Sequence, residues 1–299
     1  KGIEWFQKDC HPEYDTVIVD EAARVTPLDL MIPLSQAKER IILVGDHRQL
    51  PHMYDEAIFE AMREQGEEIN EPDITVSMFQ NLKDKALLLE KIDGVKRFIT
   101  LDAQYRTHPL LGKFLSEQFY QPYGEEFKSP LSEDLFGQNL YDVPLVWLDI
   151  PYAAGNEKSY NGSRCREIEA DIIVERICSY LEKDEENCRK IIDELERKLC
   201  DAGATAREID IEIRCKENEL RKRMLTYGVI TFYSAQVNVI RTAFEKKLGK
   251  TKVKELFEKQ RLRVGSVDAF QGMEFDVIFL SVVRTNKMPV ISEFKEGKR

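Results

Sequence analysis

What this 299-residue chain lacks narrows the possibilities first. It has no apolar run near the ~18 residues a membrane span requires, so no spanning segment is expected. Its six cysteines, Cys10, Cys165, Cys178, Cys188, Cys200 and Cys215, never come closer than ten positions, which excludes a CxxC zinc or redox pair and predicts reduced thiols. The opening stretch KGIEWFQKDCHPEYD lacks the basic-then-apolar layout of a secretory leader, so the expected location is cytoplasmic or nuclear. Positive charge is also short: 44 Lys and Arg stand against 54 Asp and Glu, a formal net charge of −10. Bulk charge therefore does not hold the chain to nucleic acid, although a local groove stays open. What is present is ordinary for a globular protein, 42% hydrophobic and 33% charged, with length for about two domains of ~150 residues.

Short apolar runs punctuate the chain: TVIVDE, RIILVGD, RFITLD, PLVWLDI, YGVITFYS, LRVGSV and FDVIFLSVV. Near-continuous runs of this length predict strands buried on both faces. Between them lie segments of helical spacing, such as residues 235–248, where Val237, Ile240, Phe244 and Leu248 recur every three or four positions. Alternation of the two predicts an α/β fold, parallel sheets covered by helices, with ligands at the carboxyl ends of the strands. Residues 66–72 and 121–137 read as surface loops. A domain boundary is expected near Gly94 to Lys96, giving one domain at 1–95 and another at 96–299. Residues 184–225, dense in both signs of charge, predict an antiparallel helical hairpin: Ile191, Ile192, Leu195 and Leu199 form one narrow stripe, and a T-x-x-E capping box at Thr205 and Glu208 opens a second helix through Ile209, Ile213 and Leu220. Such a hairpin is either a solvated insertion or an arm for a protein or nucleic-acid partner.

Chemistry concentrates where the apolar runs stop. VIVDEAA ends in Asp20 and Glu21; adjacent carboxylates at a strand end suit a Mg²⁺ ligand followed by the base for a water attacking a γ-phosphate, and they are also what a solvated strand end looks like. The next run ends in GDHRQLP, where Gln49 can reach a phosphate or its water and Gly45 permits a sharp turn. LDAQYRTHP places Tyr105, able to stack on a base, beside Arg106, able to neutralise charge on a transferred phosphoryl group. VGSVDAFQGMEF puts Ser266, Asp268, Gln271 and Glu274 around a turn before another strand.

In this order VIVDEAA, VGDHRQLP, LDAQYRTHP, GVITFYSAQ and GSVDAFQGMEFDVIFLSVVRTN closely resemble the motifs of the superfamily 1B helicases, nearest the nonsense-mediated-decay helicase and senataxin branch. The likeness runs from about Tyr14 to Asn286 and is interrupted mainly by the charged segment. It implies two RecA-like P-loop NTPase domains, the first of them partial here, with ATP between them and a single strand of RNA or DNA across their top, and translocation commonly 5′ to 3′. On that resemblance Asp20 is the Mg²⁺ ligand, Glu21 the catalytic base, Gln49 the γ-phosphate sensor, Tyr105 the adenine stacker, Arg106 an arginine finger and Glu274 a nucleotide contact. The strand contacts it implies are Thr231, Tyr233, Ser266 and Asp268. Ser234 is expected at the N-cap of the following helix, whose amides could bind a backbone phosphate. The family usually shows Pro where this chain has Phe232. His108 is expected to shape its turn, and Arg284 to be a strand-end residue.

No G-x-x-x-x-G-K-[ST] string, the loop that cradles nucleotide phosphates, occurs in the 299 residues. The family carries it upstream of the acidic pair, and its last motif lies some way beyond VRTN. The expectation is therefore a piece of an ATP-dependent helicase or translocase that hydrolyses ATP poorly by itself. Two alternatives stand: a non-catalytic helicase-like module that binds nucleic acid or protein, and the motor part of a nuclease or defence effector.

Overall fold

The computed structural model describes residues 13–49, 77–136 and 143–285. The chain divides into two compact units, Lys1–Trp147 and Leu148–Arg299. The expected loop at 66–72 lies outside the described residues.

In the first unit β1 (Tyr14–Val19) pairs in parallel with β2 (Ala37–Leu43), Val17 opposite Ile41 and Val19 opposite Leu43. Helix α1 (Pro27–Leu34) connects them. Thr26 caps it by accepting from the Asp29 amide at 3.2 Å, and Pro27 occupies a first-turn position where an amide would have no helical partner. One face of the pair packs on Ala22, Ala23, Leu30 and Phe79, with Val19, Leu34 and Leu43 around them. The other face is open: Ile18 is 65% exposed and Ile42, opposite it in the register, is exposed too. Burial of these runs on both faces, expected from their apolar content, is therefore not what is found, because a parallel pair covered on one side hides only alternate residues.

Helix α2 (Met78–Asp93) begins at the Ser77 cap, whose hydroxyl accepts from the Gln80 amide, and stops at Gly94, whose φ of 70° ends the helix in the left-handed region. The following RFITLD does not form a strand. Leu101 is 79% exposed, and only an isolated bridge, Ala103 to Lys128, is made nearby. PLVWLDI also remains outside any ladder among the described residues, with Trp147 exposed. An apolar run becomes a strand only where a neighbouring strand takes up its amides and carbonyls in a ladder, and among the described residues neither run pairs in one; the Phe98 amide goes to the Glu90 side chain and the Ile150 carbonyl to Arg166. Helix α3 (Pro109–Leu115) follows the LDAQYRTHP turn. His108 Nδ1 accepts from the Leu110 amide at its N-terminus, so His108 does shape its turn.

The second unit opens with the antiparallel pair β3 (Lys158–Tyr160) and β4 (Ser163–Cys165), joined by Asn161–Gly162, both at positive φ as a tight hairpin turn demands. Its main sheet is parallel, β6 (Leu262–Ser266), β5 (Tyr227–Thr231) and β7 (Val277–Ser281) in that order. Central β5 is buried almost throughout; edge strand β7 leaves Ile278 and Leu280 exposed. Helix α6 (Ser234–Leu248) lies where its apolar spacing predicts and buries Ile240 and Phe244 completely.

Helix α4 (Glu167–Asp201) begins well before residue 184, because its stripe Ala170, Ile173, Val174, Ile177, Leu181 is core. Its 35 residues span about 52 Å at ~1.5 Å per residue. After the turn at Ala202–Ala204, α5 (Ala206–Arg223) starts with the reciprocal Thr205–Glu208 capping box, and Leu220 and Met224 at its end line one open cleft with Cys188 and Ile192 of α4. Exposed charges here pair along their own helices, Glu194 with Lys198 and Asp210 with Arg214. Asp184 to Arg261 at 3.0 Å and Glu185 to Lys252 at 2.7 Å tie α4 to the β6 entry and to α7 (Lys250–Glu258).

Candidate nucleotide and nucleic-acid site

Asp20 and Glu21 leave the carboxyl end of β1, both exposed. Glu21 has a φ of 54° and ψ of 33°, a left-handed conformation uncommon for a residue with a side chain, and its amide donates to Asp20 Oδ1 at 2.9 Å. The chain then turns back on itself. The Ala22 amide donates to the Val44 carbonyl and the Val44 amide to the Val19 carbonyl, each at 2.8 Å, so the end of β2 lies against the acidic turn. Contact is close enough to require glycine: a β-carbon on Gly45 would stand 2.9 Å from the Ala23 nitrogen.

Beyond Gly45 the loop closes on Asp46, which accepts from the Arg48 amide at 2.9 Å and from Gln49 Nε2 at 3.0 Å. Gln49 is exposed and oriented by that bond. Asp46 also accepts from the Tyr120 hydroxyl at 2.5 Å. Beside it Glu125 receives Lys83 Nζ at 2.6 Å and Arg48 Nε at 2.8 Å, and the Arg48 guanidinium rests 3.5 Å from the centre of the Tyr123 ring. Partial burial opposes ionisation of Glu125, but its hydrogen bonds from Lys83 and Arg48 prevail and hold the carboxyl at about 2. His47 is shifted below 6.5 by burial and then by the Lys83 charge; neutral Nε2 accepts from Lys83 at 2.8 Å. We take that neutral form, rather than an ion pair with Glu125 at 3.2 Å, as the state of the ring, since a second cation there would face Lys83 and Arg48. Tyr120 is pushed up by burial and by its bond to Asp46.

Tyr105 and Arg106 occupy a separate turn of the same unit. Gln104 builds it: Oε1 accepts from the amides of Arg106 and Thr107, each at 2.8 Å, while Nε2 donates to the Thr107 carbonyl and to Ser129 Oγ. Tyr105 is thereby left 67% exposed.

In the second unit Thr231, Ser266 and Ser281 form one row across the carboxyl ends of β5, β6 and β7. Thr231 is fully buried and its hydroxyl has no hydrogen-bond partner; Ser266 is half-buried. Tyr233 is half-buried and Phe232 is 58% exposed. Ser234 does not cap α6. The cap position is Tyr233, without a side-chain bond, and Ser163 of β4 accepts from the Ala235 amide at 3.2 Å instead. A β4 hydroxyl has taken the role because the β3–β4 hairpin is folded against that turn. Asp268 and Glu274 are exposed on the loop after β6, which Phe270 anchors to the core. Arg284 pairs with Glu157 at 3.2 Å, the strand-end placement its position suggested.

Two polar clusters had no local sign in the sequence. The Glu125 cluster joins residues tens of positions apart. The other is buried: Arg166 pairs with Glu169 at 3.1 Å, Glu169 Oε2 accepts from Ser281 Oγ at 2.7 Å and from the Val283 amide, and Gln236 exchanges bonds with the Arg166 backbone while donating to Ser281. It fixes the first turns of α4 and α6 to the end of β7.

Parallel strands ending in a carboxylate pair and a Gly-bearing polar loop are consistent with the P-loop NTPase class. A family model described as "AAA domain" matches residues 74–299, and a second of the same description matches 6–55. The chain is 26% identical to Helicase sen1 of Schizosaccharomyces pombe over 96% of its own length and 14% of the relative's. It is likewise 26% identical to ATP-dependent helicase NAM7 of Saccharomyces cerevisiae (96% and 24%) and to DNA-binding protein SMUBP-2 of Mesocricetus auratus (96% and 23%). It therefore spans a quarter or less of the length of these relatives. The chain belongs to the Upf1/Sen1-like family of superfamily 1B helicases. Among the described residues no helix is long and apolar enough to cross a membrane.

Proposed function

We propose that these residues are part of a motor that hydrolyses ATP to move along single-stranded RNA or DNA, in the 5′ to 3′ direction, built on two RecA-like domains. The observation that carries the reading is the close approach of Gly45 to Ala23, which sets the Gln49 loop against the Asp20–Glu21 turn at the carboxyl end of one parallel pair. A carboxylate pair and a sensing amide on neighbouring strand ends are what phosphoryl transfer to water requires.

The donor set fits Mg²⁺. This ion takes only one or two carboxylates and leaves its other positions to water and substrate phosphates. Asp20 would hold it, and the ion when bound neutralises phosphate charge. Glu21 accepts the proton of the attacking water. Gln49, kept in place by Asp46, orients that water or the γ-phosphate. Tyr105 stacks on the base, Arg106 stabilises charge on the transferred group, and Glu274 contacts the nucleotide. Thr231, Tyr233, Ser234, Ser266 and Asp268 mark the edge that positions the strand. Buried Thr231 and half-buried Ser266 act through backbone and shape, while Tyr233, Ser234 and Asp268 supply contacts that carry no base preference.

Lacking a phosphate-cradling G-K-[ST] loop, residues 1–299 alone turn ATP over poorly. The test is ATP turnover and unwinding by the full-length protein on matched RNA and DNA strands, beside the 299-residue chain. Strand-stimulated turnover by the full-length protein alone supports the reading; strong turnover by the 299 residues refutes the role given to the missing loop.

A further inference from the structure

The segment that carries Tyr105 and Arg106 also grips the loop that carries Gln49. At one end, the 104–107 turn is tied to the strand-like stretch at 127–129: the Gln104 amide donates to the Lys128 carbonyl, the Lys128 amide to the Asp102 carbonyl, and Gln104 Nε2 to Ser129 Oγ at 2.7 Å. Helix α3 is pressed onto the same knot, since any β-carbon on Gly112 would collide with Ser129 and Gln104. Ser116, just after α3, accepts from the Phe127 amide at 3.0 Å. Residues 102–129 are thus one cross-braced piece.

Its other end reaches the Asp46–Gln49 loop at three points. Tyr120 donates to Asp46, the same carboxylate that orients Gln49. Tyr123 lies under the Arg48 guanidinium. Glu125 gathers Arg48 and Lys83, with His47 against Lys83. Charges balance across this contact, Lys83 and Arg48 against Glu125 and Asp46, and Lys83 and His47 are only about a tenth exposed. A half-buried, balanced set of this kind has one arrangement that satisfies every member, and loss of one carboxylate leaves a cation without its partner.

We infer that Tyr120 and Glu125 are positioning residues that hold the Gln49 loop in its orientation from the segment that follows Tyr105 and Arg106. The inference rests on the motor reading above and adds to it a route of coupling through residues that touch no nucleotide. Removing the Tyr120 hydroxyl takes from Asp46 its one bond to the 102–129 segment, and Asp46 is what orients the Gln49 amide. Removing the Glu125 charge releases Arg48 beside it.

The test is a double-mutant cycle in the full-length protein, with ATP turnover in the presence of a saturating single strand. Glu125→Gln lowers kcat about tenfold and Tyr120→Phe severalfold, each leaving the KM for ATP within about twofold. In a Gln49→Ala background neither lowers kcat further, because both act through Gln49. Losses that multiply instead overturn the inference, since a general loss of fold would act independently of Gln49. Amide hydrogen exchange gives a second reading that needs no turnover: residues 46–49 exchange at least tenfold faster in Tyr120→Phe while α6 is unchanged. Equal exchange at 46–49 also overturns the clamp. Absence of strand-stimulated turnover in the unmodified protein removes the motor reading itself, an outcome distinct from turnover with multiplying losses.

Discussion

Gly45 meets Ala23 so closely that a β-carbon would lie 2.9 Å from the Ala23 nitrogen and 3.3 Å from its side chain. Through this contact the end of β2 fixes the turn that presents Asp20 and Glu21, and the two motifs behave as one object. Gly45→Ala must push the strands apart or twist the turn. Overpacking of this kind costs about 1–3 kcal/mol, and urea unfolding of the first unit should show it. A Gly45→Ala protein of unchanged stability contradicts the contact.

Glu169 sits in the second unit with Arg166, Ser281 and the Val283 amide all directed at it. Glu169→Ala leaves the buried Arg166 charge with only the carbonyls of Gly155, Ile150 and Pro151 and no counter-ion, and breaking a buried pair from one side costs about 3–5 kcal/mol. Denaturant melts should report a loss of that size, whereas Glu194→Ala, which removes an exposed pair with Lys198, leaves the midpoint nearly unchanged. Equal effects of the two substitutions would contradict the network.

Acid should open the Glu125 cluster in two stages. His47 is held below 6.5, facing Lys83, Arg48, Asp46 and Glu125, so the folded state binds its proton less readily than the unfolded state. Stability from this site is complete above about 6.5 and falls as the pH drops through the lowered value. Glu125, at about 2 in the fold against 4.5, contributes stability above 4.5 that disappears as the pH falls toward 2. A ring-proton titration of His47 checks the first stage, with Glu125→Gln lowering the value further because the stronger of the two carboxylates that favour its charged form, Glu125 before Asp46, is gone. A His47 that titrates at or above 6.5 contradicts the neutral assignment.

How much of this was legible depended on how local the cause was. Helix α6 followed from its own spacing, and the Thr205–Glu208 box from four consecutive residues. The position of α4 did not, because the stripe from Ala170 to Leu181 flows without a break into the charged segment, and only contact with the sheet shows where core ends. RFITLD and PLVWLDI read as strands for their composition, yet ladder partners decide that outcome and composition carries no trace of them. Asp20, Glu21 and Gln49 stood out because each ends an apolar run. Tyr120, Glu125, Arg166 and Gln236 did not, since their partners lie across folded distance. Ser234 failed as a cap for the same reason: Ser163, 71 residues earlier in the chain, supplies the oxygen near it.

Arg106 stands on a turn whose backbone is held by Gln104 through the Arg106 amide. Arginine fingers contribute roughly 10³ to 10⁵ in rate. Turnover by the full-length protein should fall toward that range with ATP affinity within a few-fold. An equal loss of affinity and turnover would reassign Arg106 to ground-state binding.

The central claim is that the acidic pair at the end of β1 activates water for ATP hydrolysis in the full-length protein. It is tested most directly by Glu21→Gln, with ATP affinity and strand-stimulated turnover measured separately. The account predicts affinity within a few-fold of the unmodified protein and turnover reduced by about 10² to 10⁴, the usual contribution of a general base. Turnover that survives the substitution intact would contradict it.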